Sequence, residues 1–151
     1  MPHVNLRAAV LADLDDLLSM MEDFNAHEHI PWTRAEGAAP LRTLMERADL
    51  GAVVILEDAE GALCGYAILT WGFDLEWGGR DAFITELYLR PEARGRGLGR
   101  AALALLEAEA RRHGARALHL MVRRDNPAAL HLYLSAGFED PERLLLTRPL
   151  R

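Results

Sequence analysis

Leu87-Tyr88-Leu89-Arg90-Pro91-Glu92-Ala93-Arg94-Gly95-Arg96-Gly97-Leu98-Gly99-Arg100 runs from an apolar strand through a glycine-rich turn into the start of a helix. This order of elements makes an anion-binding geometry: glycines let successive N–H groups curl inward, and the helix start adds partial positive charge. The turn has no Gly-Lys-Ser/Thr ending, so it is not a P-loop. Gly95-Arg96-Gly97-Leu98-Gly99 also lacks the G-x-G-x-x-G spacing of a dinucleotide turn.

Upstream, residues 81–89 read as the strand that feeds this turn, with Pro91 as its stop. A loop over 72–80 precedes it. Residues 52–56 and 62–71 form an antiparallel hairpin about Asp58-Ala59-Glu60-Gly61. Nearer the start, 4–10 is a strand, and Asp13 caps a helix with Leu14, Leu17, Leu18, Met21 and Phe24 at helical spacing. His27-Glu28-His29 closes that helix before Pro31, and Pro40 opens a second one through about Ala48. Downstream, a helix from Gly99 to Gly114 leads to a strand over 117–122. Asn126-Pro127 then starts a last helix stopped by Gly137, and 143–150 reads as a final strand. The order β-α-α-β-β-β-α-β-α-β over 1–151 predicts one α/β domain: a mixed, mostly antiparallel sheet with helices on both faces.

With 151 residues, half of them apolar, the chain can bury a core of its own. No apolar run approaches the roughly 20 residues of a membrane span, and the first residues do not read as a leader, so a cytoplasmic location without membrane contact is expected. Cys64 sits among apolar residues and reads as a buried thiol. His27, Glu28 and His29 lack metal-ligand spacing, so no metal is expected. All 17 basic residues are arginine, and the net charge is −6. Nine of them lie between 90 and 124 against only three acids, so a basic segment sits inside an acidic chain. That division suits an anionic ligand held locally. A single Arg-Gly-Arg-Gly run without interleaved aromatics in an acidic protein does not suit nucleic acid.

Arg94, Gly97 and Gly99 fill the pattern Arg/Gln-x-x-Gly-x-Gly/Ala, and Asn126-Pro127-Ala128-Ala129-Leu130-His131-Leu132-Tyr133 with Gly137-Phe138 fills Asn-x-x-Ala-x-x-x-Tyr and Gly-Phe. In both motifs, over residues 81–139, the chain resembles the GNAT superfamily of N-acetyltransferases. The resemblance implies acetyl-CoA as acetyl donor. Its pyrophosphate would lie on Arg94, Gly95, Arg96, Gly97, Leu98, Gly99 and Arg100, and its pantetheine arm between the fourth and fifth strands. Arg90, Arg96 and Arg100 become candidates for the outer phosphates, and Asn126 falls within the second motif on the cofactor side. The resemblance further implies a strand bulge at Leu87, Tyr88 and Leu89 that offers an N–H to the thioester carbonyl. It makes Tyr133 the acid for the leaving sulfur. A homodimer is a further expectation from the superfamily.

Acetyl transfer needs a neutral amine. Glu86 interrupts the apolar run from Ala82 to Leu89, so it is either a general base with a raised pKa or a solvent-facing or ion-paired strand residue. On the acceptor side, Glu28, Trp32, Asp74, Glu76 and Trp77 are the candidates, because acids beside indole rings suit a small cationic amine, whether free or on a peptide. The alternative to an enzyme is a noncatalytic acyl-CoA sensor using the same ligand site. Glu86 and Tyr133 weigh against that alternative.

Overall fold

A computed structural model describes residues 2–151. The elements are β1 (Val4–Ala8), α1 (Leu14–His27), α2 (Arg34–Glu46), β2 (Gly51–Asp58), β3 (Leu63–Asp74), β4 (Gly79–Leu89), α3 (Leu98–Arg112), β5 (Leu118–Leu120) and α4 (Pro127–Ser135). The sheet order is β1-β2-β3-β4-β5, antiparallel throughout except for the parallel pair β4–β5. One face carries α1 and α2 over Val53, Ile55, Tyr66, Ile68 and Tyr88. The other carries α3, with Leu98, Ala102, Leu103 and Leu106 packed on Val54, Leu56, Ala67, Leu69 and Ile84. The expected fold class therefore holds, including helices on both faces.

Four boundaries differ from the sequence reading. A single 3-10 turn over Leu11–Asp13 precedes α1, and Asp13 reaches back to accept from Val10 N and pairs with Arg7 at 2.8 Å instead of capping α1. Second, α2 starts at Arg34, with Pro40 inside it. Thr33 Oγ1 accepts from Glu36 N at 3.2 Å, so a real cap outcompetes proline as the start signal, and Glu36, whose carbonyl Pro40 cannot serve, lies exposed to solvent. Third, most of the expected 72–80 loop is hairpin: β3 and β4 pair as far as Asp74↔Gly79, around one 3-10 turn at Leu75–Trp77.

The fourth difference is the expected strand over 143–150, which is not formed. Leu144, Leu145, Leu146 and Leu150 are exposed, and Arg143 is held by Glu76 at 2.8 Å. A strand needs a ladder partner. Here β5, the outermost strand, pairs for three residues and only with β4, while Pro149 lacks a donor. Asn126 and Gly137 act as read from sequence: Asn126 Oδ1 accepts from Ala129 N at 3.2 Å, and Gly137 takes φ +100° after α4. Cys64 is buried, and burial pushes its thiol pKa up, which leaves it without nucleophilic character.

Candidate active site

At the head of α3, Gly95 and Gly97 both adopt left-handed backbone, φ +72° and +75°, a conformation L side chains enter only at a cost. The backbone of 95–100 is thereby curled ahead of the helix. None of the six N–H groups from Gly95 to Arg100 has a backbone or side-chain acceptor among the described residues, whereas Arg94 N and Ala101 N on either side do. Gly99 allows close packing, since a Cβ there would stand 3.2 Å from Leu132 of α4. This cradle of free amides at a 15-residue helix start fits the phosphates of a coenzyme A.

The neighbouring arginines are engaged to different degrees. Arg94 Nε donates to the Leu89 carbonyl at 2.8 Å and its guanidinium lies 5.5 Å from the centre of the Tyr88 ring, so its side chain ties the turn to β4. Arg100 donates to Ser135 Oγ and O at 3.0 and 2.8 Å, joining α3 to the end of α4. Arg90 stands 4.0 Å from Asp16. Arg96 is exposed and has no partner among the described residues. Asn126 uses its Oδ1 as the α4 cap.

Beside this cradle the sheet opens. β4 pairs with β5 only from Ala82↔Leu118 to Ile84↔Leu120, so from Thr85 to Leu89 its outer edge has no ladder partner. The gap suits an extended chain with amide groups, as in the pantetheine arm. A bulge does fall in β4, at Thr85: Ile68 pairs with Glu86 and Leu69 with Ile84, which leaves Thr85 unmatched. It lies two residues before the position expected from the resemblance. One extra residue reverses the alternation beyond it, so Glu86 and Tyr88 share the α1–α2 face instead of following Ala82 and Ile84 onto the α3 face.

On that face Glu86 is largely buried. Burial raises its carboxyl pKa, partly offset by the Tyr66 hydroxyl, which donates to Oε1 at 2.6 Å. Tyr66 is itself fully buried, and desolvation followed by the charge of Glu86 pushes its phenol far up, so it stays a donor. The Tyr88 hydroxyl likewise donates to Asp23 of α1 at 3.1 Å. Glu86 is therefore a largely buried carboxylate whose one hydrogen-bond partner among the described residues is Tyr66, and no ion-pair partner stands beside it among them.

Tyr133 packs from α4 against β5 and meets Phe138 edge-on at 6.1 Å. Burial raises its phenol pKa, with a second contribution from the charge of Glu28. His29 ends α1 at φ +59°, a place glycine often fills, and Arg123 beyond β5 donates to the Glu28 carbonyl at 3.3 Å. Of the five acceptor-side candidates, Glu28 is the one whose charge acts on the Tyr133 phenol. Trp32 packs over Gly37 of α2, Asp74 accepts from Glu76 N, Glu76 pairs with Arg143, and Trp77 lies 6.1 Å from the His119 ring.

Sequence reasoning missed Tyr66, which holds Glu86, and the pair Asp81–His119, with Asp81 Oδ2 3.1 Å from His119 Nε2. Only the Thr85 bulge and the β4–β5 register bring these residues together, and neither leaves a local signal. A groove lined by Ala9, Met45, Gly51 and Arg112 lies at the opposite end of the sheet and contains none of these groups.

The chain is similar to known proteins. The model of the Acetyltransferase (GNAT) family matches residues 17–138. An L-methionine sulfoximine/L-methionine sulfone acetyltransferase of Pseudomonas aeruginosa is 31% identical over 145 residues, covering 89% of this chain and 80% of that protein. An L-amino acid N-acyltransferase of Escherichia coli is 36% identical over 90 residues, which cover 58% of this chain and 51%, about half, of that protein. Among solved structures, an integron cassette protein from the mobile metagenome of Cole Harbour Salt Marsh superposes with a TM-score of 0.83 at 30% identity, over 97% of this chain and 90% of that one.

Proposed function

Because this chain belongs to the GNAT acetyltransferase family, we propose that it transfers the acetyl group of acetyl-CoA to a small primary amine by direct attack in a ternary complex. The observation that carries this reading is the row of six free amides at the head of α3 beside the unpaired edge of β4, with Glu86 on the adjoining face. Acetyl-CoA, when bound, supplies an acyl group already activated as a thioester. The backbone of 95–100 would hold its phosphates, with Arg96 the nearest uncommitted cation, and the open edge of β4 would hold its arm. Glu86 receives the proton of the incoming ammonium, directly or through water, and Tyr66 fixes the carboxylate while it does so. Tyr133 Oη holds the proton required by the leaving sulfur, and its raised pKa keeps it protonated at neutral pH.

Glu28, whose charge acts on Tyr133, and the carboxylate of Glu86 support an acceptor that arrives as a cation. The names of the relatives point to amino acids or close analogues as the first amines to try. Coenzyme A release measured over amino acids, peptides, polyamines and aminoglycosides tests the reading. Steady release with at least one amine supports it, whereas tight acetyl-CoA binding with no turnover on any amine favours the sensor. The homodimer belongs to the same proposal. The exposed leucines of 144–150, following Arg143, which pairs with Glu76 in the β3–β4 turn, give it support.

Replacing Glu86 by Gln keeps volume and removes the base. Because burial raises the Glu86 pKa, its carboxylate form gains population only as pH rises through a value above the ordinary carboxylate range. The wild-type rate should climb through that raised value. Glu86→Gln should lose about 10²-fold in turnover at pH values between the pKa of Glu86 and that of the amine. Its pH–rate profile should also lack the lower inflection. A profile identical to wild type would move the base role to water.

A further inference from the structure

The α1–α2 face of the sheet is only half covered. Both helices pack over β2, β3 and Tyr88, but Phe83 of β4 and His119 of β5, paired in register on that face, lie outside the cluster beneath them. Around His119 stand Phe83, with ring centres 4.8 Å apart, and Trp77, at 6.1 Å. Met121, just past the end of β5 and two residues after His119, is exposed. Beneath this patch is Asp81, a buried carboxylate whose hydrogen-bond partner among the described residues is His119 Nε2 at 3.1 Å. Its other oxygen faces Gly72, where a Cβ would stand only 2.5 Å away, so glycine there leaves room for the carboxylate. A buried carboxylate on one ring nitrogen fixes the tautomer and orientation of an imidazole and turns its other nitrogen outward. His119 Nδ1 has no protein partner among the described residues, and the side chain is 27% exposed.

We propose that this patch binds the side chain of the acceptor amine, with Trp77, Phe83 and Met121 as its apolar walls and His119 Nδ1, set by Asp81, hydrogen-bonding a polar group at the side chain's end. The proposal rests on the acetyl-transfer reading and deepens it by assigning acceptor specificity. Its geometry follows from the bulge. Beyond Thr85, Glu86 shares the face of Phe83 and His119, and at about 3.3 Å per residue the positions of Phe83 and Glu86 are roughly 10 Å apart along the strand. The Glu86 and Phe83 side chains reach into that interval, so an acceptor with its amine at Glu86 directs its side chain toward Phe83 and Trp77. A hydrogen-bonding terminus is selected because Nδ1 would otherwise be covered by the bound molecule without a partner.

The test uses the whole chain and compares kcat and KM for pairs of acceptors that differ only at the side-chain end, the polar member carrying a donor for Nδ1: 6-hydroxynorleucine against norleucine, and glutamine against homoleucine. In His119→Ala the KM for the polar member of each pair should rise about 10-fold, while that for the apolar member and for acetyl-CoA stay within about 2-fold. Asp81→Asn should move the same ratio in the same direction, because it frees the ring without removing it. If His119→Ala proves unfolded by thermal melting, His119→Gln fills the site and should still shift the ratio. Wild-type turnover with a polar-to-apolar KM ratio unchanged in the folded variants overturns this inference alone. Absence of turnover on every amine in the wild-type protein overturns the acetyl-transfer reading, and this inference with it.

Discussion

Tyr133→Phe should lower turnover by about 10²- to 10⁴-fold, the usual cost of removing a positioned acid, while leaving acetyl-CoA affinity and thermal stability close to wild type. Stability should hold because the ring contacts remain: Phe138 edge-on at 6.1 Å, and Leu118, Leu120 and Leu132 in the same cluster. The hydroxyl has no protein hydrogen-bond partner among the described residues, so its removal orphans no buried group. Single-turnover kinetics with a saturating amine separate the chemical step from product release and are the measurement of choice. Wild-type rates in this variant would reduce Tyr133 to a packing residue and leave solvent as the proton source.

Gly97→Val should abolish most of the thermal stabilisation conferred by acetyl-CoA. In the wild type, ligand at 100 times its Kd is worth about 2.7 kcal/mol, readable as an increase in Tm. Two effects act at this position. At φ +75° a β-branched residue costs about 1–2 kcal/mol or forces the turn open, and a Cβ would stand 2.8 Å from Pro2. Either outcome breaks the row of amides. Comparing Tm with and without acetyl-CoA separates the intrinsic destabilisation from the lost ligand shift. Arg96→Ala should retain most of the shift, since the backbone supplies the main contacts and this exposed side chain only one charge. A ligand shift in Gly97→Val equal to wild type would place the cofactor elsewhere.

Both substitutions act at positions that could be read from the chain alone, because their physics is local. Gly95 and Gly97 mark backbone that only glycine adopts freely, Asn126-Pro127 carries a cap and a proline at the first helical position, and Tyr133 follows at fixed helical spacing. The element order through α4 and the packing of helices on both faces of the sheet were legible for the same reason. Thr33-x-x-Glu36 is an equally local cap signal, and it outcompetes Pro40 as the start of α2. The strand expected over 143–150 failed because a strand is a property of two segments, and β5 offers no ladder to the second.

What the sequence determined by itself is the glycine turn at the head of α3, the starts of α3 and α4 and the identity of the acid and base candidates, whereas the starts of α1 and α2 differ from it. Only the tertiary structure decided which face Glu86 occupies. Strict alternation puts Glu86 with Ala82 and Ile84 against α3, and one unmatched residue, Thr85, sends it to the α1–α2 face beside the Tyr66 hydroxyl. The same register brings His119 against Asp81, 38 residues away in the chain. A bulge arises from the balance of pairing across two strands, so neither strand's own residues disclose it.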